Sequence, residues 1–406
     1  MAITAQRRKA AIIFILITVF LDMLALGVMI PVLPKLIIAF EGGEIDSAAR
    51  ISGFFSFSWA LMQFLFQPVL GALSDRFGRR PIALASNLGL GVDYLVMAVA
   101  PSLVILYLGR LVSGAFAASF STATAYISDI TPPEKRAARF GLLGAAFGLG
   151  FIIGPMIGGV LGQYGLRLPF YGAAAFSLAN FLYGYFILPE SLSQELRTKT
   201  IEWRSAHILG SLKMLSRRRE LALLATGVFL SYVAHDSLPS LFVLYTDYRY
   251  RWDAETTGWA LALVGVAQTF VSGGVVRPFV ARFGERLALI VALIAGAAGF
   301  AVYAFSAQGK PFMAGVALIA LWGMANPSFQ ALATRLAGAD EQGRLQGALS
   351  SLRGVSGMIG PPLFTQIFAA SVAANFFPGG AYFLAALLLG ASLAAALAAT
   401  SRRAVV

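Results

Sequence analysis

Ionisable side chains interrupt several long apolar stretches of the 406-residue sequence. They are Asp22, Asp93, Arg110, His235, Asp236 and Arg353. If these stretches cross a bilayer, each charge costs at least ~2.5–3.5 kcal/mol, so it usually marks a pathway or a proton relay. The four groups that can bind and release a proton in this set are Asp22, Asp93, His235 and Asp236. They are the predicted proton-coupling residues.

Two opposing effects act on a carboxylate in such a stretch. Loss of water favours the neutral form, and a nearby arginine favours the charged form. A carboxylate balanced between the two can take a proton on one side and release it on the other. Asp93 and Arg110 are open to a second interpretation, a static ion pair between helices.

His235 and Asp236 are neighbours in YVAHDSLP, between LALLATGVFL and SLFVLY. Histidine titrates near neutrality, which suits a proton-coupling role. Adjacent residues on a helix diverge by about 100°, so at most one of the two can face a cavity squarely. The alternative is that both lie near the outer mouth, wetted and structural, before the Pro239 bend.

The composition predicts an all-α membrane protein. Hydrophobic residues make up 58% and charged residues 12% of the chain, whereas a soluble domain is about half apolar and about a quarter charged. Solid apolar runs of about 18 or more residues favour helices over a transmembrane barrel. Twelve spans are predicted: 10–33, 51–73, 80–100, 103–126, 140–162, 169–189, 221–245, 257–277, 286–306, 311–333, 345–370 and 379–400.

The placement of charge predicts the topology. The net charge is +12, but most Lys and Arg fall in the segments that would be cytoplasmic if the N-terminus is inside. This positive-inside bias predicts that both termini are cytoplasmic and argues against nucleic acid as a partner.

The chain has no cysteine, no G-x-x-x-x-G-K-[ST] phosphate cradle and no metal-ligand cluster, so no cofactor, metal site or enzymatic reaction is predicted.

The chain matches itself at a constant offset close to half of its length. Phe77-Gly78 lines up with Phe283-Gly284, and Gly154-Pro155 lines up with Gly360-Pro361. This predicts two pseudo-symmetric six-helix bundles, 1–189 and 221–406, an arrangement typical of transporters. The linker 190–220 contains His207 and is expected to form an amphipathic basic helix on the inner surface.

The stretch GALSDRFGRRP (71–81) joins the second and third spans. Glycine permits a tight turn, and the charged residues can form charge-assisted bonds with neighbouring helix ends. Here the chain resembles the major facilitator superfamily, which implies that Gly71, Asp75, Arg76, Arg79 and Asp129 form an inner gate. The second copy has Ala281 in place of Asp75, so its lock is expected to be weaker or absent.

The fifth span, GLLGAAFGLGFIIGPMIGG, carries small residues four apart, which allow close helix packing. Gly150, Gly154, Pro155, Gly158 and Gly159 resemble the antiporter motif of exporters in that superfamily.

The resemblance then narrows to the bacterial tetracycline/proton antiporters. It is carried by LDMLALGVMIPVLPKL, LMQFLFQPVLGALSDRFGRRP, YLGRLVSG, FGLGFIIGP and GMIGPPLF. It implies functional roles for the acids and the arginine of the first half. Gln268 and Gly296 stand where those exporters carry a histidine and an aspartate, so His235 and Asp236 are expected to take over proton coupling.

Other polar residues in the spans are candidates for contact with substrate. The predicted substrate-binding set is Gln63, Arg110, Gln268, Asn326, Gln330 and Arg353. Polar side chains in spans also join helices to one another, and this is the alternative for each. Arg353 would hold an anionic part of a substrate or neutralise a nearby acid.

Together these features predict a proton-coupled antiporter that exports a small, lipophilic, drug-like compound by alternating access. The alternative is a transporter of an organic anion or metabolite, for which tetracycline is not a substrate. The expected setting is the bacterial inner membrane, with protons and one small molecule as partners and a monomer as the working unit.

Overall fold

The computed structural model describes residues 5–198, 215, 218–337 and 341–401. Throughout that part the regular structure is helical and no strand occurs. The predicted fold class, an all-α membrane protein, is confirmed. The amphipathic helix predicted in the linker and His207 lie outside the described residues.

The first helices are α1 (Ala5–Met29), α2 (Leu33–Phe40), α3 (Ile45–Phe77), α4 (Arg79–Val99), α5 (Leu103–Phe116), α6 (Ser119–Ile130), α7 (Pro133–Tyr164) and α8 (Leu168–Ile187). A short 3-10 turn follows at Gln194–Leu196. The later helices are α9 (Arg219–Tyr250), α10 (Ala254–Phe270), α11 (Val276–Phe305), α12 (Gly309–Trp322), α13 (Ala325–Leu336), α14 (Gln342–Ala373) and α15 (Gly380–Ala399). A π-helical turn, Val271–Val275, joins α10 to α11.

Ten stretches of the described chain are long and apolar enough to cross a membrane. One of them, Ala254–Phe305, has 52 residues, which as one helix would measure about 78 Å, more than twice the ~30 Å hydrocarbon core. It is interrupted at Gly284, where φ is 78° and ψ is 163°. Two predicted spans fall within this stretch, and a further one coincides with α8. The helices are therefore consistent with twelve spans.

The sequence repeat has a counterpart in the backbone. Gly78 has φ 107° and ψ 161°, nearly the conformation of Gly284, and both glycines follow an Arg-Phe pair. Only glycine adopts this region readily, so both turns depend on it. The backbone is also interrupted between α5 and α6 and again between α12 and α13. These two breaks are related by the offset of the sequence repeat.

The helices cluster into two compact units. The first comprises Met1–Gly42, Ser58–Trp203 and Trp252–Ala262, and the second comprises Gly43–Phe57, Arg204–Arg251 and Leu263–Val406. The start of α3 is thus grouped with the second unit, and the start of α10 with the first. The simpler boundaries 1–189 and 221–406 stay a prediction.

Each unit has its own packing. In the first, α1 packs on α7 and α8, and α4 packs on α5 and α8. In the second, α9 packs on α14 and α15, and α11 packs on α12 and α15. An aromatic cluster of Tyr245, Tyr303, Phe312 and Tyr382 fills one part of the second unit, with ring centres of Tyr303 and Phe312 only 4.0 Å apart. These contacts fix the helices that carry the buried charges.

Candidate functional site

Asp22 lies on α1 and is 4% exposed. Asn180 of α8 donates from Nδ2 to Asp22 Oδ1 at 2.9 Å and to the carbonyl of Thr18 at 3.2 Å. Asp22 Oδ2 accepts no hydrogen bond from a described residue, and no cation of the described chain pairs with it. A buried carboxylate held by a neutral amide can exist with or without its proton, as a proton-binding site requires.

Asp93 and Arg110 lie on neighbouring helices, α4 and α5, but form no direct ion pair. Asp93 is 1% exposed, and a Cβ added at Gly109 would lie 2.7 Å from its Oδ1. Arg110 instead contacts Met29 Sδ at 3.8 Å, and its guanidinium lies 5.3 Å from the ring centre of Trp59. The two charges therefore interact through space across the packed helices, and a static, bonded ion pair is not what the structure shows.

Buried polar side chains join these helices. Ser119 of α6 donates to Asn87 Oδ1 of α4 at 3.1 Å, and both side chains are buried. Tyr94 of α4 lies in the electrostatic field of Asp22, Asp93 and Arg110. Asn180 and Ser119 were not singled out from the sequence. A polar residue in the middle of an apolar helix is the signal that could have indicated Asn180; Ser119 is the first residue of α6 and carries no such signal.

In the second unit Asp236 is directly paired. Its Oδ1 lies 2.9 Å from Arg353 Nη1, which joins α9 to α14. The same arginine nitrogen lies 3.4 Å from Ser356 Oγ. A Cβ added at Gly360 would lie 2.5 Å from Asp236 Cβ, so the absence of a side chain at Gly360 makes room for the aspartate. Arg353 thus neutralises an acid, one of the two roles expected for it.

His235 follows a different direction from its neighbour. Its ring centre lies 5.6 Å from that of Trp322 on α12, and the side chain is half-buried. It forms no ion pair with Asp236. Because His235 and Asp236 are adjacent in sequence, their side chains lie on different faces of α9, as the 100° step of a helix predicts.

Tyr232 and Asn326 complete the surroundings of Arg353. The guanidinium lies 5.4 Å from the ring centre of Tyr232, and the tyrosine hydroxyl donates to Asn326 Oδ1 at 3.1 Å. Two predicted substrate residues, Arg353 and Asn326, are therefore linked through a tyrosine that the sequence did not point to.

The remaining predicted substrate residues are half-buried. Gln63 lies on α3, Gln268 on α10 and Gln330 on α13. A Cβ added at Gly323 would lie 3.3 Å from Gln268 Nε2. Among the described residues, no side-chain hydrogen bond ties these three glutamines to Arg353 or to Arg110. Their contact with substrate stays a prediction.

Arg79 is the centre of an ion-pair cluster at the start of α4. It binds Asp75 Oδ1 of α3 at 2.5 Å through Nη1 and Asp129 Oδ2 of α6 at 3.1 Å through Nε. Glu190 was not anticipated: its carboxylate accepts bonds from the backbone N–H of Arg79 at 2.8 Å and of Arg80 at 3.2 Å. It therefore caps α4 at the orphan amides of the helix N-terminus.

Two other members of the predicted gate lie outside this cluster. Arg76 stacks on Phe77, with its guanidinium 5.4 Å from the ring centre, and it forms no ion pair within the described chain. Gly71 is exposed, and a Cβ there would meet nothing within 4 Å.

The second copy of this motif has an ion pair with exchanged charges. Arg335 Nη2 lies 2.5 Å from Glu285 Oε1. By the repeat offset, Glu285 corresponds to Arg79 and Arg335 corresponds to Asp129. The lock of this copy was expected to be weaker or absent; the structure has this one pair where the first copy has a cluster, because the loss of the acid at Ala281 leaves the second link in place. Arg335 is 66% exposed, so water screens the pair and its contribution is modest.

The glycines of α7 let its backbone touch α1. A Cβ at Gly150 would lie 2.6 Å from the Phe20 carbonyl oxygen, and one at Gly154 would lie 2.7 Å from Gly27 Cα. Gly158 contacts Val28, while Gly159 and Pro155 contact α10 at Ala254 and Gly258. This close contact fixes α1, the helix that carries Asp22.

Paired sets of membrane-spanning helices, buried carboxylates and ion pairs at helix ends define a membrane transporter. The sequence model of the Major Facilitator Superfamily matches residues 15–361, and the chain belongs to that superfamily. It is 40% identical to the tetracycline resistance protein of class C from Escherichia coli, over 90% of this chain and 91% of that protein. It is 36% identical to the class G protein from Vibrio anguillarum, over 90% and 92%.

Solved structures agree with the fold. The nucleoside transporter NupG, as a mutant, matches with a TM-score of 0.77 at 14% identity, over 96% of this chain and 99% of that one. The human organic anion transporter MFSD10 (TETRAN) matches with a TM-score of 0.67 at 23% identity, over 94% and 99%. The protein is thus a multi-pass membrane transporter with the fold of its superfamily.

Proposed function

We propose that the protein exports a small, lipophilic, drug-like compound in exchange for protons, by alternating access in the bacterial inner membrane. The observation that carries this proposal is the state of Asp22: buried, held by an amide and without a cation. Relatives that are named tetracycline resistance proteins support drug export. In this proposal both termini are cytoplasmic, as the bias of Lys and Arg predicts, and the working unit is a monomer.

Asp22 is the principal proton-binding group in this proposal. An elementary charge that crosses the membrane releases about 2.3 kcal/mol per 100 mV, which is the energy that export can use. Asp93 and Arg110 set the electrostatic field among the buried side chains of the first unit. His235 and Asp236 are the groups of the second unit that can gain or lose a proton. The ion pairs of Arg79 with Asp75 and Asp129 stabilise one of the two conformations of alternating access. Substrate contacts come from the half-buried polar side chains.

The test uses inverted membrane vesicles energised by respiration and loaded with a pH-sensitive dye. Tetracycline, lipophilic cations, neutral compounds and organic anions are added in turn. We expect at least one compound to dissipate the proton gradient in the wild type and none to do so in Asp22→Asn. Asp46→Asn is the matched control, because Asp46 is an aspartate that lies at the start of α3 and, within the described part of the chain, pairs with Arg50 alone. Full coupling in Asp22→Asn would refute the assignment.

A second candidate is transport of an organic anion without proton exchange. It is favoured by one observation, the 43% exposure of the Arg353 side chain. Under this function, labelled anions would accumulate or be extruded in whole cells at a rate that is independent of the pH gradient. Arg353→Glu would abolish that flux, and an unchanged flux would exclude the candidate.

A further inference from the structure

We propose that Arg353 is a binding subsite for an anionic oxygen group, such as a carboxylate, on the transported molecule, and that Asp236 neutralises this arginine in the unloaded protein. The proposal rests on the transport function above and names one chemical feature of its substrate.

Arg353 and Asp236 differ sharply in their access to ligand. The side chain of Arg353 is 43% exposed and that of Asp236 is 5% exposed. A ligand can therefore reach the cation while the acid stays covered. A pair with one open partner allows an external anion to bind the cation and to compensate its charge in place of the acid.

The guanidinium of Arg353 has N–H donors that bind no described residue. Its contacts with Asp236 Oδ1, with Ser356 Oγ at 3.4 Å and with the Tyr232 carbonyl at 3.5 Å all come from Nη1. Nη2 and Nε donate to no described residue. A guanidinium binds a carboxylate best through two parallel N–H groups, so the edge formed by Nη2 and Nε fits such a group.

The surroundings indicate an apolar, aromatic body behind the anionic group. Tyr232 presents its ring 5.4 Å from the guanidinium, and its hydroxyl binds the exposed Asn326. An aromatic ligand can stack on such a face while its charge binds the arginine. The class of ligand that fits is therefore a lipophilic aryl anion.

Once an anion at Nη2 and Nε neutralises the guanidinium, the buried Asp236 at Nη1 no longer faces a net cation. Gly360 of α14 lies against its Cβ, and Oδ2 has no hydrogen-bond donor in the described chain. A lone buried carboxylate takes a proton because the uncompensated charge is costly. The other titratable groups near it are His235 and Tyr232 on its own helix.

Among the described residues, the helices packed on α9 add no further charge at this site: besides Arg353, α14 carries Arg344, which is exposed and lies nine residues before Arg353. On α13 the ionisable group among the described residues is Arg335, which binds Glu285, and on α15 it is Tyr382, which packs with Tyr245 and Tyr303. The proton on Asp236 therefore travels with the anion. Protons that drive export must be carried elsewhere, by Asp22.

The test is a binding measurement on the purified, detergent-solubilised full chain, without any gradient. Three probes share one ring system: 2-naphthoate, 2-naphthylmethanol and 2-naphthylmethylamine. We expect 2-naphthoate to bind at least about tenfold more tightly than the other two, the factor expected for a hydrogen bond to a charged group. A pH dye in weak buffer should report about one proton taken up per anion bound.

Three variants assign the effect to named groups. Arg353→Gln should weaken 2-naphthoate binding at least about tenfold. Asp236→Asn should retain binding but lose proton uptake. The double variant Asp236→Asn with Arg353→Gln leaves no lone buried charge, so it should fold and bind the alcohol but not prefer the anion. Arg344→Gln, at an exposed position on α14, is the matched control.

Two results would overturn the inference. The first is that 2-naphthoate binds no more tightly than the alcohol, or fails to bind at all; the second is that the double variant keeps the preference for the anion. Equal proton uptake in Asp236→Asn would remove Asp236 from the scheme. Failure of the vesicle experiment on Asp22 alongside retained binding of 2-naphthoate would count against the proposed export function and leave the subsite standing.

Discussion

At the scale of single residues, two buried aspartates are held in opposite ways. Asp22 accepts a hydrogen bond from the neutral Asn180, whereas Asp236 is bound by the cation of Arg353. The first arrangement suits a group that gains and loses a proton. The second suits a group whose charge is compensated until another anion binds its partner. A buried charge without any partner is the state that both arrangements avoid.

Asn180 is predicted to be necessary for Asp22. Replacement in Asn180→Leu removes the hydrogen bond to Oδ1 and leaves the buried carboxylate unsatisfied, which costs about 1–3 kcal/mol. We expect a lower unfolding midpoint of the detergent-solubilised protein and a strong loss of substrate-dependent proton flux. Ser177→Ala on the same helix is the control, because Ser177 Oγ is buried without a hydrogen-bond partner in the described chain. Equal effects of the two changes would contradict the role given to Asn180.

At the scale of helices, the two copies of the Arg-Phe-Gly motif are predicted to respond differently to an exchange of their charges. Glu285 and Arg335 form a simple pair. Glu285→Arg or Arg335→Glu should lower the transport rate about twofold to fivefold, since a pair at the surface is worth about 0.2–1 kcal/mol. The double exchange should restore it, because it recreates the pair with the polarity of the first copy.

The first copy should not tolerate the same exchange. Arg79→Glu with Asp129→Arg brings a new acid against Asp75, which binds Arg79 at 2.5 Å. Like charges repel, so we expect the double variant to stay impaired in the vesicle assay. Full recovery in this copy would show that Asp75 has no part in the cluster.

The contact between α1 and α7 is predicted to depend on Gly154. Its Cβ would lie 2.7 Å from Gly27 Cα, so Gly154→Val must push two backbones apart. We expect the free energy of unfolding to fall by at least ~1–3 kcal/mol, the usual cost of overpacking, and transport to be lost. Gly144→Val on the same helix is the control, since nothing lies within 4 Å of a Cβ there. Thermal unfolding of the purified variants distinguishes the two sites.

At the scale of the whole molecule, the chain offers a direct test of topology because it has no cysteine. Ser401→Cys should react with a membrane-impermeant maleimide only in inverted vesicles, and Glu44→Cys only in intact spheroplasts. Both positions are exposed. The expectation follows from the bias of Lys and Arg towards the cytoplasmic segments. Labelling of Ser401→Cys in spheroplasts would reverse the orientation.

Much of the fold could be predicted from the sequence, because long segments of high hydropathy indicate membrane helices. The Arg-Phe-Gly turns at Gly78 and Gly284 were visible as a repeat, and each proved to need a glycine conformation. The span boundaries were less accessible. The stretch Ala254–Phe305 carries Arg277, Arg282, Glu285 and Arg286 between two apolar parts, so the sequence predicted a break at about 277–286. The backbone at Gly284 shows where within that segment one helix ends.

The candidate sites were accessible in part. A charged residue in an apolar helix is conspicuous, so Asp22, Asp93, Asp236 and Arg353 could be named. Their partners could not, because Asn180 and Tyr232 are ordinary residues whose position depends on packing between helices far apart in the chain. The same reason explains why Asp93 and Arg110 were open to being read as a bonded pair.

The sequence by itself determined that this chain is a helical membrane transporter with an internal repeat, since hydropathy, charge bias and glycine spacing are local properties. Only the tertiary structure decided which charge meets which. It showed that Asp22 binds an amide, that Asp236 binds an arginine whose other donors bind no described residue, and that the second copy of the Arg-Phe-Gly motif has a reversed ion pair. Such pairings depend on the rotation and register of packed helices, and neither quantity is set by the residues of one helix alone.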